Sequence, residues 1–338
     1  MKGVSLFLVP KVLPDGTRNA YRIIRLKDKM GSRSMASGEI RFEGAKAWLV
    51  GELGRGFAQM ADMVNNSRLS NGMRSAGMMR RAIAEALYIA RNRRAFGQQL
   101  VDMPLMQRQL AKIMLPAEQA RTMMFQTAEA LRRSDAGEEG AYALTRILTP
   151  LIKFRACRDA RAATADAMEV RGGCGYIEEW GDPRFVRDAH LGSIWEGTSN
   201  IVALDVIRAI RREGSLPVWR RHVEQLLAES RWHARPRAIV QGLVARVEAL
   251  ASDAAVQGHE ALARQAASAL YRLTAAAGMG WEASRTGSLR RMLLAQLTLQ
   301  HQLLPADPLQ AQPRADLSLL FAEGLPQGDV AQVNAFAD

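Results

Sequence analysis

At Gly51-Glu52-Leu53-Gly54-Arg55-Gly56 the sequence changes character and does not change back. Upstream of this glycine cluster, short β-prone runs alternate with turn signals. Val4–Val9 is closed by Pro10, Pro14-Asp15-Gly16 marks a turn, and Tyr21–Leu26 reads as the next strand. Residues 38–43 alternate, turn at Gly44 and continue as Ala47–Val50. This spacing predicts a hairpin meander of three or four strands with exposed edges and half a core. Another chain or a preceding segment is expected to complete it. Downstream, Ala/Leu/Met-rich stretches with helical periodicity run near 57–93, 104–134, 139–170 and 199–212, long enough to suggest an antiparallel bundle. A further Ala/Leu/Arg-rich set follows near 218–232, 236–256, 258–278 and 281–303, with breaks expected at Pro217, Arg235-Pro236 and Gly278-Met279-Gly280. Pro305, Pro308, Pro313 and Pro326 mark a tail of weaker structure. The expected fold class is α+β, mostly α. It comprises a partial antiparallel β-domain (1–56), a four-helix bundle (57–213), a helical extension (214–304) and the tail (305–338).

Composition narrows the function classes. No apolar run approaches the roughly 20 residues of a membrane span, and the N-terminal apolar stretch is too short for a signal peptide. Cys157 and Cys174 are the only cysteines and the five histidines are scattered, so no metal site is expected. A cytoplasmic location follows as the expectation. The formal charge is +12, with +11 on residues 1–213, +5 on 214–301 and −4 on 302–338. Such a balance attracts CoA esters, flavin pyrophosphate or nucleic acid; it is equally read as solubility and codon bias.

Dinucleotide, Walker and nucleophile-elbow fingerprints are absent. Two loops stand out instead. Arg93-Arg94-Ala95-Phe96-Gly97 ends a long helix, where cations complement the dipole or pair with a phosphate beyond it. Ile194-Trp195-Glu196-Gly197-Thr198-Ser199-Asn200 leads into the next helix. Thr198 or Ser199 is placed to cap that helix, whose free N–H groups suit an anion. Glu196 sits beside a large aromatic, a setting in which a carboxylate can be desolvated and made a general base. Ordinary capping with a solvated glutamate is the competing reading. Between the loops lies Met168-Glu169-Val170-Arg171-Gly172-Gly173-Cys174-Gly175-Tyr176, whose glycines either admit a flat ligand or simply end a helix.

Taken in order, Arg93-x-Ala95-Phe96-Gly97, Gly172-Gly173-x-Gly175-Tyr176, Arg187-Asp188-Ala189 and the 194–200 loop resemble the acyl-CoA dehydrogenase flavoproteins. The likeness runs from about Val4 to Arg212. Met78-Met79-Arg80-Arg81-Ala82, Met103-Pro104-Leu105-Met106 and the added helices after Glu213 look most like the AidB-like, alkylation-response subgroup. The resemblance implies FAD as cofactor, an acyl-CoA thioester as substrate and a homodimer or homotetramer. By motif match Glu196 is the base that takes the α-proton; Ser67 stands where some relatives place that base and cannot serve. The match makes Arg93 and Phe96 contacts to a neighbouring subunit's flavin, Glu169 and Gly173 a second strip, and Thr198 and Asn200 a third. Arg68 and Trp195 are expected on the substrate side. Relatives have an N-terminal helical domain and a fuller β-domain, so the chain is expected to be a piece of a longer protein, one of two chains, or a degenerate copy.

Three readings stay open on the sequence: a thioester dehydrogenase; a flavoprotein that binds duplex DNA through Arg220, Arg221, Arg231, Arg235, Arg237, Arg246, Arg290 and Arg291, with little turnover; and a helical oligomerisation piece without flavin.

Overall fold

A computed structural model describes residues 3–310 and 316–336, leaving Pro313 outside the described residues. The chain divides into two units, Met1–Arg68 and Leu69–Asp338. In the first, strands β1 (Leu6–Leu8), β2 (Tyr21–Leu26), β3 (Gly38–Phe42) and β4 (Trp48–Val50) form two antiparallel pairs, β1 with β4 and β2 with β3. The expected meander is therefore a nested arrangement, because β1 skips its neighbour and pairs with the last strand. Asn19 ties the two pairs together. Its amide donates to the carbonyls of Pro10 and Lys46, and its oxygen accepts from the N–H groups of Ala20 and Lys46. Instead of half a core the unit shows none: Phe7, Ile23, Leu26, Phe42 and Trp48 are exposed, and no hydrophobic residue among the described part of this unit is buried.

The second unit is helical. Helix α1 (Gly56–Asn92) begins in the first unit and ends in the second, followed by a hairpin of β5 (Arg94–Ala95) and β6 (Gln98–Gln99). Then come α2 (Pro104–Asp135), α3 (Ala141–Arg171), α4 (Asp182–Gly192) and α5 (Ser199–Glu213). The extension supplies α6 (Ser215–Ala228), α7 (Ala234–Ala254), α8 (Ala263–Thr286) and α9 (Leu289–Gln302), and the tail a short α10 (Ser318–Phe321). No helix among the described residues is long and apolar enough to cross a membrane.

Two helices organise the packing. α3 touches α2, α4, α5, α6 and α8, while α8 touches α2, α3, α5, α6, α7 and α9. One contiguous core results, running from Met79 and Ile113 through Leu148 and Phe154 to Trp219, Leu270 and Leu299. A buried arginine pins the extension to the bundle: Arg291, with 7% of its side chain exposed, pairs with Glu118 on α2 and Glu282 on α8 and donates to Thr122. Part of the tail also packs back, with Gln296 donating to the Val333 carbonyl at 2.7 Å and accepting from the Ala335 N–H.

The helix break expected at Gly278-Met279-Gly280 does not occur. α8 runs through it to Thr286, and Gly287 with φ +70° caps its end. These glycines serve contact. A Cβ on Gly278 would lie 2.6 Å from the Thr122 methyl, and one on Gly280 would lie 2.1 Å from the Trp232 ring. α4 is an addition the periodicity did not reveal. Its eleven residues start on Asp182-Pro183, with proline in the first turn where its missing N–H costs nothing.

Gly280→Ala is expected to cost about 1–3 kcal/mol by overpacking. Gly242→Ala in α7, where a Cβ meets nothing within 4 Å, is expected to stabilise by up to about 1 kcal/mol through helix propensity. Urea midpoints of both variants check this, and shifts of the same sign refute it.

His222 on α6 gives a pH signature. Burial, with Arg133 adding to it, lowers its imidazole from 6.5 to about 4. Its folded pKa lies below its unfolded one, so its share of stability is whole above pH 6.5 and is lost as pH falls toward 4. His222→Phe removes that loss. Relative to wild type, the variant is expected to gain stability steadily between those limits, as read from urea unfolding across the range.

Candidate active site

The α4–α5 loop, Ser193–Thr198, carries the geometry. Glu196 has φ +57° and Gly197 φ +101°. For a glutamate the left-handed region costs roughly 1–2 kcal/mol, so the loop must be held there by its surroundings. Helices α1 and α3 do this. Lys153, buried mid-helix on α3 with 1% exposed, donates through Nζ to the Gly197 carbonyl at 2.5 Å. Trp195 Nε1 donates to Asn71 Oδ1 at 2.6 Å, and the Arg74 guanidinium lies 4.9 Å over the indole. Arg161 reaches Ser193 Oγ and Arg158 reaches Ser199 Oγ. Behind them Ser75 Oγ donates to Cys157 Sγ at 3.2 Å, and burial pushes the Cys157 thiol up. Gly192 is packed so closely that a Cβ would sit 3.3 Å from Ser75 Oγ and 3.4 Å from Cys157.

The loop feeds α5. Thr198 occupies its N-cap position with extended backbone but makes no side-chain cap, and Ser199 is turned to Arg158. The expected side-chain cap is thus absent. The helix ladder starts with the Val202 N–H on the Thr198 carbonyl, which leaves the N–H groups of Ser199, Asn200 and Ile201 without helical acceptors. Half-buried Glu196 and exposed Thr198 and Asn200 frame this opening.

A second cluster lies at the far end of α3. Arg93 Nη1 donates to the Arg171 carbonyl at 3.0 Å, and a Cβ on Gly172 (φ +71°) would meet that same guanidinium at 3.1 Å. Phe96 forms the tip of the β5–β6 hairpin with φ +50° and 97% of its surface exposed. Gln109 donates to exposed Glu169 at 3.3 Å and to the Asp166 carbonyl. A Cβ on Gly173 would meet open space, whereas one on Gly175 would collide with the Met168 carbonyl at 2.3 Å. Gly173 therefore faces outward and Gly175 closes the turn. Arg171 is pinned by Asp182 and Glu85 and stacks on Trp180.

The structure thus sorts the sequence-derived residues into two groups: Trp195, Glu196, Thr198 and Asn200 on the loop and the first turn of α5, and Arg93, Phe96, Glu169 and Gly173 around the end of α3. Arg68 is half-buried on α1, the last residue of the first unit. Lys153 and Asn71 were not anticipated. A lysine inside the apolar run Leu148–Phe154 was the available signal, since a buried ammonium needs a specific acceptor.

Of the eight arginines considered for duplex binding, five are engaged within the chain. Arg290 donates to the carbonyls of Leu319, Ala322 and Gly324. Arg291 is buried; Arg220 is bonded to Glu224 and Glu248, and Arg235 and Arg237 are bonded to the Phe336 and Ser230 carbonyls. Arg221, Arg231 and Arg246 are exposed.

Residues 54–211 match the family profile described as acyl-CoA dehydrogenase, C-terminal domain. The chain is 42% identical over 214 residues to AidB of Escherichia coli K12, covering 63% of this chain and 39% of that one. It is 33% identical over 285 residues to acyl-CoA dehydrogenase family member 11 of Caenorhabditis elegans, covering 80% and 46%. The crystal structure of C. elegans ACDH-11 in complex with C11-CoA superposes with a TM-score of 0.82 at 30% identity, covering 90% of this chain and 54% of that one. The chain spans about half the length of the curated relatives it matches.

The Lys153 clamp yields an expectation. In Lys153→Met the Gly197 carbonyl loses its partner, worth about 1–2 kcal/mol. Amide exchange over Ile194–Asn200 should then quicken about tenfold or more while α8 is unaffected, as hydrogen-exchange mass spectrometry reads. Unchanged exchange in the loop would show that Lys153 does not hold it.

Proposed function

From a chain that belongs, across residues 54–211, to the acyl-CoA dehydrogenase family, we propose an FAD-dependent oxidoreductase that introduces a double bond between the α and β carbons of an acyl-CoA thioester. The observation that carries the reading is Glu196, held in a left-handed conformation by a loop clamped from two helices. Strain kept at one carboxylate, beside an open helix start, suits a group that must meet a reacting atom at fixed geometry. The structural likeness to a protein solved with C11-CoA supports the thioester as substrate class.

Glu196 takes the α-proton onto its carboxylate as the Cα–H bond breaks, and the released pair enters the new double bond. Bound FAD would supply the two-electron acceptor that receives the β-hydrogen with its bonding pair. Lys153 and Asn71 act as positioning residues: one fixes the Gly197 carbonyl, the other the Trp195 ring, and Glu196 lies between them. The residues present fit a flavin dinucleotide. Phe96 offers a bare aromatic ring, Gly173 an unobstructed backbone, and the start of α5 three N–H groups with Thr198 and Asn200 beside them for anionic oxygens.

One feature of α3 favours an assembly of two or four copies. Gly197 is anchored at Lys153 and Arg93 at Arg171, and the eighteen helical steps from one anchor to the other span about 27 Å. Thr198 and Asn200 would hold one flavin, while Arg93 and Phe96 would serve the flavin of another copy.

The test is Glu196→Gln in the flavin-loaded chain. Flavin retention should be unchanged, and the rate of thioester-driven flavin bleaching should fall about 10²–10⁴-fold, the usual range for loss of a general base. Bleaching at the wild-type rate would sink Glu196 as the base. A chain that retains no flavin after loading would sink the reading for this polypeptide.

A further inference from the structure

A cavity of about 1020 Å³ opens in the second unit, away from the α4–α5 loop. Its walls are the C-terminal half of α2, α6 and the last turns of α8, with Arg80 of α1, Arg291 of α9 and Leu325 also lining it. That volume lies in the range of small-molecule sites. We propose that this cavity is a second binding site, between the bundle and the extension, for a small organic anion with an apolar body.

Three observations carry the assignment. First, the walls are amphipathic. Phe125, Leu226, Trp281 and Leu325 line the cavity, and Phe125 and Leu325 are 60% and 70% exposed on walls they share with buried Leu226. A filled site would cover them. Second, the charge on the walls is unevenly compensated. Arg132 is paired with Glu129, Arg133 with Glu138, and Arg291 with Glu118 and Glu282. Glu229 is held by Trp281, Gln225 and Arg285, which lower its carboxyl to about 2. Arg121 has only a 3.4 Å contact with Glu118, a carboxylate already engaged by Arg291, and Arg80 has no carboxylate partner among the described residues. The cation left over favours an anionic ligand. Third, His222 lines the cavity with its Nε2 sealed from solvent and without a hydrogen-bond partner. A buried imidazole nitrogen left unpaired is costly, and a small shift of the wall would let a polar atom of the ligand satisfy it.

The floor is built to stay in place. The Arg291 network fixes α2, α8 and α9, and Trp281 is pinned on both sides, its Nε1 donating to Glu229 at 2.8 Å and the Arg285 guanidinium stacking 4.5 Å from the ring. A preformed wall lowers the ordering cost of binding.

The test titrates the full chain with naphthalene-2-sulfonate and with the uncharged 2-naphthalenemethanol by isothermal calorimetry. The sulfonate should bind one to one and at least about tenfold tighter than the alcohol. Arg80→Gln should erase most of that tenfold preference, and Leu226→Glu should abolish binding of both. Phe125→Ser, at an exposed position, should weaken both and guards against a misfolded Leu226 variant. In ¹⁵N-histidine spectra the signal assigned through His222→Phe should move on saturation. Equal affinity for alcohol and sulfonate, or sulfonate affinity unchanged in Arg80→Gln and Phe125→Ser, would overturn the assignment. So would an absence of binding accompanied by a smaller sedimenting species for Phe125→Ser, since the cavity would then be covered by a second copy of the chain.

Discussion

A lysine ammonium buried midway along α3 dictates how the candidate site is built. Removing such a charge from water costs several kcal/mol unless the group is fully bonded. Lys153 meets that demand by drawing the Gly197 carbonyl to 2.5 Å, and the loop before α5 must pass directly over α3. The position of Glu196 follows from that passage. With Gly197 held and Trp195 anchored on Asn71, the residue between has little freedom left, and its φ of +57° is the conformation that closes the gap. The tight packing around Gly192 serves the same end, since it lets α4 deliver the loop close to Ser75 and Cys157.

The extension is part of the same body as the bundle. A buried Arg291 bridging Glu118 and Glu282 would be expensive to expose one partner at a time, so α2, α8 and α9 are coupled. Trp219 strengthens this, its Nε1 donating to Thr274 at 2.8 Å within the core. The arginine content of the extension looks different in that light. Arg290, Arg291, Arg235 and Arg237 hold helix ends and the tail, an internal use of guanidinium groups that leaves fewer of them for a phosphate surface.

Much of the architecture could be read in advance because the long helices carry their own periodicity and their ends carry Gly or Pro. The α2 and α5 boundaries fall within a residue of expectation for that reason. The failures share a cause. Local pattern marks Gly278 and Gly280 as backbone punctuation, yet their role is fixed by Thr122 and Trp232, more than forty residues distant in sequence. The strand order failed likewise, because pairing of β1 with β4 is a long-range choice that local alternation does not encode. At the site, Glu196 stands out beside Trp195 and a helix start, and Phe96 through the family motif. Lys153 and Asn71 do not, because a loop's anchors lie wherever the fold brings them.

The arrangement along α3 has a consequence for how a catalytic unit would be assembled. One end of that helix carries the Arg93–Gly172 contact with the exposed Phe96 nearby in the hairpin, and its middle carries the clamp beneath Glu196. The two sets are tied to points about 27 Å apart on one packed helix, so they cannot be drawn together by bending without breaking the core around Leu151 and Phe154. On the proposed dehydrogenase reading, a single chain would supply the base to one flavin and an aromatic contact to another. Catalysis would depend on association between copies even though every residue that positions Glu196 is intramolecular.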